Sequence, residues 1–285
     1  MPTIQDLTTP YFPTWCPGCG NFTIWAAFKN ACVKQGWDNT NSVLVAGIGC
    51  HGHLVNYIKL TAFEGLHGRA LPLATGIKLV NNRLNVFVFT GDGDSLAEGG
   101  NHFMHACRRN HDLKIILHDN AIYGLTTGQA SPMTPHGFKT KSTPEGNPDD
   151  PISPITIAIA AGATFVARGF AGDIPQMTDL FIKAAAHKGL ALVDVLQPCV
   201  TFNKDYSHAF YRENTYYLGP DYDVTNKTEA FKRSLEWGPK KIGLGVFYQI
   251  EKPSYEAQVP QIAIEPIVKN SPLHKNPEDL FKKYT

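Results

Sequence analysis

The sequence predicts an α/β domain, a doubly wound and mostly parallel sheet with helices on both faces, followed by a C-terminal arm. Three observations carry this. Strand-like runs recur at Val43–Gly49, Val86–Phe89, Leu113–Leu117 and Leu190–Leu196. Helix-length segments separate them, the alternation that builds parallel sheets. Two of the strands also end in oxygen-rich turns, Gly91-Asp92-Gly93 and Asp119-Asn120, at the edge where open sheets of this kind bind ligands.

The elements follow in order. Residues 1–20 are loop-like and rich in Pro and Thr. Asn21–Gln35 reads as a helix, with Phe22, Trp25, Phe28 and Val33 roughly on one face. The strand ending near Cys50 comes next, then a short helix over His51–Leu60 and another over Leu73–Val80. After the two turn-bearing strands, residues 126–154 are rich in Pro, Gly, Thr and Lys with few apolar anchors. That is too long for a plain connector and predicts a functional loop over the site. A helix at Thr156–Gly162, a strand at Thr164–Ala167, a helix at Asp173–His187 and the strand Leu190–Leu196 complete a domain over residues 1–200. The remainder, 201–285, predicts an arm packing on the domain or on a partner chain, with helices at Asn226–Trp237 and over 277–284.

The turn at 91–93 and the segment at 119–125 read as a magnesium-diphosphate site. In a strand-helix-strand crossover the two strands are parallel, so Asp92 and Asn120 emerge at one sheet edge. Mg²⁺ takes an octahedron of oxygens, with one or two from the protein and the rest from phosphates and water. Glycines flanking Asp92 let backbone approach a diphosphate closely. Ser95 and Glu98 match a capping box that would start a helix beside the anion. A nicotinamide site is not indicated, because no G-x-G-x-x-G run follows a strand and opens a helix.

Composition narrows the classes. The chain has 285 residues, 43% of them hydrophobic, enough for a substantial core. Its formal net charge of +1, without a long Lys/Arg block, gives no footprint for nucleic-acid binding. No stretch is long and apolar enough to predict a membrane span, and the N-terminus does not read as a secretory signal. A cytoplasmic protein is expected. Its six cysteines then predict reduced thiols or metal ligands rather than disulfides.

Cys16-Pro17-Gly18-Cys19 presents two sulfurs around a tight turn, and Cys50 and Cys199 each follow a strand-like run, so four thiolates are expected to converge beside the diphosphate. Zinc or an iron–sulfur cluster would accept them, and their place beside this site favours the cluster. The C-x-x-C pair precedes the first clear strand, outside the setting of a thioredoxin-like dithiol. Cys32 and Cys107 lie in helical patterns and read as core.

WCPGCGN, GIGCH, HGRALPLATGIKL, GDGD and DNAIYGLTTGQ, taken in order, resemble the β subunit of the two-subunit 2-oxoacid:ferredoxin oxidoreductases, closest to the 2-oxoglutarate-type members, over about residues 12–205. The resemblance implies a thiamine diphosphate-binding fold. It implies that Cys16, Cys19, Cys50 and Cys199 ligate a [4Fe–4S] cluster, and that Asp92, Asn120 and the carbonyl of Ile122 bind Mg²⁺. Ile48, Gly49, Cys50, His51, His67, Gly91, Gly93, Asp94, Gly124 and Leu125 would line thiamine diphosphate. The implied reaction is reversible, from 2-oxoglutarate, coenzyme A and oxidised ferredoxin to succinyl-CoA, CO₂ and reduced ferredoxin. Asp119 departs from the paired asparagines common in thiamine enzymes, leaving Asn120 as the ligand.

Such enzymes need a glutamate at the aminopyrimidine, carried by a separate pyrimidine-binding domain. This chain predicts only one α/β domain. Glu98 reads as a helix cap and Glu64 as a solvated loop residue, so an α subunit is expected to complete the site, in an αβ or (αβ)₂ assembly. His51 and His53 follow a predicted cluster ligand and are candidates for binding substrate carboxylates, with Thr127 as a second specificity candidate. His102, His105 and His111 read as structural or solvated. The alternatives are a pyruvate or broad-specificity member, a non-oxidative thiamine-dependent decarboxylase subunit, which leaves four cysteines unexplained, and a zinc-stabilised or electron-transfer subunit, which leaves Asp92 and Asn120 unexplained.

Overall fold

The computed structural model describes residues 1–269, 278, 281 and 282, so most of the helix expected over 277–284 lies outside the described residues. Along the chain run α1 (Asn21–Gln35), β1 (Ser42–Ala46), α2 (Leu54–Tyr57), β2 (Thr61–Glu64), α3 (Ala70–Val80), β3 (Asn85–Gly91), α4 (Gly100–Arg109), β4 (Lys114–Asp119), α5 (Pro154–Ala161) and β5 (Phe165–Phe170). There follow α6 (Ile174–Ala186), β6 (Ala191–Leu196), α7 (His208–Asn214), β7 (Thr215–Tyr217), α8 (Lys227–Ser234) and β8 (Ile242–Gln249). Among the described residues these strands form one sheet in the order β2-β1-β3-β4-β6-β5-β8-β7. All pairs are parallel except β5 with β8.

Strands β1, β4, β5 and β6 are buried at every position, as expected of strands covered by helices on both faces. On one face α1 and α6 cover a core in which Phe28 meets Phe87 and Phe89 edge-on at 4.9 and 4.8 Å. On the other face α3, α4, α5 and α8 cover a second core. Cys32 and Cys107 are fully buried in these cores, as expected of small apolar residues. From β1 the chain steps outward to β2 and then crosses back to β3 on the far side. The strand order reverses there, which opens a crevice at the C-terminal ends of β1 and β3.

Three elements depart from the sequence reading. His51–Leu60 is not one helix; α2 occupies only its middle, and the exposed four-residue β2 follows. Too few residues, facing mostly solvent, leave no periodicity there. The segment after residue 200 is more than an arm, because β8 pairs with β5 and carries β7, extending the main sheet. Gly243 and Gly245 interrupt the strand pattern, and Gly245 has a φ of 120°, which only glycine adopts readily. The Ser95–Glu98 capping box does not form. Asp94–Glu98 is instead a wide π-helical turn closed by Gly99 N–H donating to the Asp94 carbonyl at 2.9 Å. Ser95 Oγ is bonded to Thr90 Oγ1, and Glu98 turns outward to Tyr123.

Candidate functional site

The loops after β1, β3 and β4 enclose a cleft at the strand-order reversal. Its walls are Ile48, Gly49, Cys50 and His51 from the first loop, Gly91, Asp92, Gly93 and Asp94 from the second, Asn120 and Ile122–Thr126 from the third, and His67. Every residue expected to line the cofactor is therefore brought to one place. Tyr123 and Thr126 join them.

Asp94 ties the loop after β1 and the His67–Gly68 segment to the end of β3. Its Oδ1 accepts from the backbone of Ile48 at 3.1 Å and Gly68 at 2.8 Å and lies 2.7 Å from His67 Nδ1, while Oδ2 accepts from Thr90 Oγ1 at 2.6 Å. A Cβ on Gly47 would stand 1.7 Å from Asp94 Oδ2, so this approach requires glycine. Burial opposes the charge, but neighbouring His51 and these donors hold the Asp94 carboxyl below its ordinary range.

Asp92 is different. It is buried, Ser131 Oγ donates to its Oδ2, and among the described residues no cationic side chain pairs with it. Burial pushes its carboxyl up to about 7, against the hydrogen bonds from Ser131 and the backbone. A buried carboxylate facing an open, glycine-lined cleft suits a divalent cation, which would supply the missing charge. Asn120 Oδ1 accepts from Ile122 N–H at 3.1 Å, which fixes the turn and leaves the oxygen a second lone pair. Ser131, far from Asp92 in sequence, carries no local signal that sequence reasoning could use. The loop that holds it is ordered, with Thr134 Oγ1 donating to the Ala121 carbonyl and Asn147 Nδ2 to the carbonyls of Thr134 and Asp149.

His51 sits in the cleft wall but only 4% exposed, and burial pushes its imidazole down to about 4. Burial thus disfavours its charged form, and a role toward a substrate carboxylate would rest on hydrogen bonding from the ring. His53, at the start of α2, and Thr127, whose φ is 76°, lie outside the residues lining the cleft. Glu64 ends the exposed edge strand β2 rather than lying in a loop.

The thiols gather beside the same cleft. A Cβ on Gly124 would lie 3.6 Å from Cys50 Sγ and 3.7 Å from Cys199 Sγ, so the loop after β4 passes against both sulfurs. Gln197 Nε2 contacts Cys19 Sγ at 3.4 Å, and Gly20 N–H bonds the Pro198 carbonyl at 3.3 Å, bringing the Cys16–Cys19 turn to the end of β6. Burial pushes the Cys19 thiol up to about 11 and the Cys50 thiol to about 12, and the neighbouring sulfurs add to both shifts. All four cysteines are unpaired.

Asp119 does not face this cleft. It is buried beside Asp194 and Arg168, whose Nε donates to Asp194 Oδ2 at 2.9 Å. Burial and the Asp194 charge raise the Asp119 carboxyl well above its ordinary range. A cavity of about 300 Å³ opens there between the long loop and α8, lined by Met133, Ile152, Leu235 and Trp237. It is roomier than the cleft but largely apolar, and it lacks the convergent glycine turns.

Residues 47–195 match the C-terminal TPP binding domain of thiamine pyrophosphate enzymes, and residues 199–263 match the C-terminal segment of the pyruvate ferredoxin oxidoreductase beta subunit. The chain is 48% identical over 265 residues to a 2-oxoacid:ferredoxin oxidoreductase subunit beta from Sulfolobus sp, covering 88% of this chain and 87% of the relative. The chain belongs to the 2-oxoacid:ferredoxin oxidoreductase β subunits. This β subunit is also 46% identical over 199 residues to the 2-oxoglutarate synthase subunit KorB of Archaeoglobus fulgidus, covering 70% of this chain and 74% of that one. A solved 2-oxoglutarate:ferredoxin oxidoreductase from Magnetococcus marinus, with 2-oxoglutarate, coenzyme A and succinyl-CoA bound, is similar at a TM-score of 0.91 and 31% identity, over 100% of this chain and 96% of that one. Among the described residues of this β subunit no helix is long and apolar enough to cross a membrane.

Proposed function

We propose that this β subunit binds thiamine diphosphate through Mg²⁺ held by Asp92, Asn120 and the Ile122 carbonyl, and a [4Fe–4S] cluster through Cys16, Cys19, Cys50 and Cys199. With an α subunit it converts 2-oxoglutarate and coenzyme A to succinyl-CoA and CO₂, passing two electrons to ferredoxin; the reaction is reversible. Bound thiamine diphosphate would supply an electron sink for the carbon that loses CO₂. The chain's own residues orient it: Gly91 and Gly93 admit the diphosphate, Asp94 and His67 fix the surrounding loops, and neutral His51 offers an unpartnered Nε2 in the cleft wall.

The observation that carries this reading is Gly124, which belongs to the diphosphate loop and also abuts the sulfurs of Cys50 and Cys199. One peptide segment thus lies between the site of carbon chemistry and the site of electron removal. A zinc ion would accept the same four thiolates but carries no redox chemistry, so it would leave the electrons of the proposed oxidation without a first acceptor. The names of the KorB relative and of the Magnetococcus structure support 2-oxoglutarate as substrate. His53 and Thr127 lie outside the cleft lining and are proposed only as candidates for contact with the substrate.

The reading is tested by anaerobic, coenzyme-A-dependent viologen reduction with a panel of 2-oxoacids. The αβ complex is expected to turn over with 2-oxoglutarate giving the highest kcat/KM, and the cofactor-loaded β chain alone to be inactive. Turnover by the β chain alone would refute the division of the site between subunits, and an αβ complex without iron would refute the cluster.

A further inference from the structure

The two walls of the cleft come from different parts of the chain. The turn at Gly91–Gly93 carries Asp92 on one wall, and the segment Asn120–Gly124 carries Asn120 on the other. At the buried end, Ser131 ties the long loop to Asp92. At the open end the tie is Tyr123. Its hydroxyl donates to Glu98 Oε2 at 3.0 Å and lies 3.2 Å from Oε1. Its ring lies so close over Gly93 that a Cβ there would be 2.2 Å from a ring carbon. The His67 ring meets it edge-on, with centroids 6.2 Å apart. His67 Nε2 is 3.6 Å from Glu98 Oε2, and His67 Nδ1 reaches Asp94.

The backbone holds Tyr123 in place for this. Its N–H donates to the Gln129 carbonyl at 2.9 Å, and its carbonyl accepts from Gly128 N–H at 2.8 Å. Glu98 stands at the last position of the π-helical turn that begins with Asp94. A π turn inside a helical segment redirects side chains, and such turns occur often at functional sites.

We infer that Tyr123 and Glu98 are positioning residues: their hydrogen bond spans the mouth of the cleft and fixes the Asn120–Gly124 wall at the distance from Gly91–Gly93 that the metal-diphosphate needs. The inference rests on the thiamine diphosphate reading of the cleft. When the bond breaks, Thr134 and Asn203 still hold the Ala121 and Asn120 carbonyls, but the side-chain tie from this wall to the Asp94–Glu98 turn is lost, and the cofactor leaves faster. Gly93 serves the same device, since any side chain there would displace the Tyr123 ring.

The test uses the αβ holoenzyme and measures thiamine diphosphate release after dilution, with the apparent KM for the cofactor, kcat and thermal unfolding read alongside. Tyr123→Phe keeps the ring on Gly93 and loses only the donor. It is expected to release cofactor about fivefold faster, the scale of one partly exposed hydrogen bond to a charged group, and to raise KM for the cofactor more than it lowers kcat. Glu98→Ala, which also loses the His67 contact, is expected to release cofactor at least as fast, and the double variant to be no worse than Glu98→Ala alone, because both substitutions remove the same Tyr123–Glu98 bond. Glu98→Gln, which still offers an acceptor oxygen, is expected to recover most of the retention. Unchanged release in Tyr123→Phe, additive effects in the double variant, or no recovery in Glu98→Gln would each overturn the proposal. Failure of the unsubstituted holoenzyme to hold thiamine diphosphate would instead overturn the reading of the cleft.

Discussion

On one side of the end of β4, Asp92 faces the glycine-lined cleft with Ser131 as its side-chain donor. On the other, Asp194 is bonded to Arg168 at 2.9 Å with Asp119 beside them. Both regions bury carboxylates, yet only the second contains its own cation. Arg168 is 1% exposed and lies about 5.4 and 5.7 Å from the Phe247 and Trp237 rings, so its charge is committed to the protein interior. The difference teaches how to separate a structural acid from a ligand-binding one. A buried acid paired with an internal cation has its charge balanced within the fold and is costly to strand, whereas a buried acid without one suits an external charge.

The largest effect that sharpens this contrast is on stability. Arg168→Met strands Asp119 and Asp194 in the interior and should cost about 3–5 kcal/mol in urea unfolding. Asp92→Ala should leave the cofactor-free chain as stable as before or slightly more so, because it removes a carboxyl that burial penalises. Equal destabilisation by the two substitutions would erase the distinction.

A second prediction concerns acid. His187 is buried, and its Nε2 lies 2.7 Å from Thr164 Oγ1. Burial, with Lys114 nearby, holds its imidazole down at about 4. The unfolded chain takes up this proton near the ordinary histidine value of about 6.5. Stability from this group is therefore fully present above about pH 6.5 and is lost as pH falls toward 4, by about 3 kcal/mol in all. His187→Gln should flatten the pH dependence of the unfolding free energy across that window; an unchanged slope would show that His187 takes up its proton without unfolding.

A smaller effect is expected at Asn120. Asn120→Ala removes a neutral ligand rather than a charge and should weaken cofactor retention by about 1–2 kcal/mol, less than loss of Asp92. Equilibrium dialysis at fixed Mg²⁺ measures it, and a loss as severe as that in the Asp92 variant would mean that the two walls contribute alike.

Much of this was legible in the sequence because the relevant signals are local. Strands β1, β3, β4 and β6 are each built around a short apolar run, and the Gly91–Gly93 turn and Asn120 sit directly at strand ends. Given parallel strands, their convergence follows from topology. The Ser131 contact to Asp92, the Tyr123 contact to Glu98 and the Arg168–Asp194 pair join residues far apart in the chain with no spacing rule between them. Ser95 and Glu98 satisfy the capping pattern, but Thr90 and Tyr123 compete for their side chains, and the wide turn prevails. β8 was missed because its glycines break the strand period, and its place beside β5 is set by pairing that no local window contains.

The central claim is tested most directly by thiamine diphosphate and Mg²⁺ content in the anaerobically purified αβ complex, comparing Asp92→Ala with the unsubstituted protein. The account predicts near-stoichiometric cofactor in the unsubstituted complex and loss of both thiamine diphosphate and Mg²⁺ in the variant, with iron retained because the cysteines are untouched. Undiminished thiamine diphosphate in the Asp92→Ala complex would contradict the assignment of this cleft.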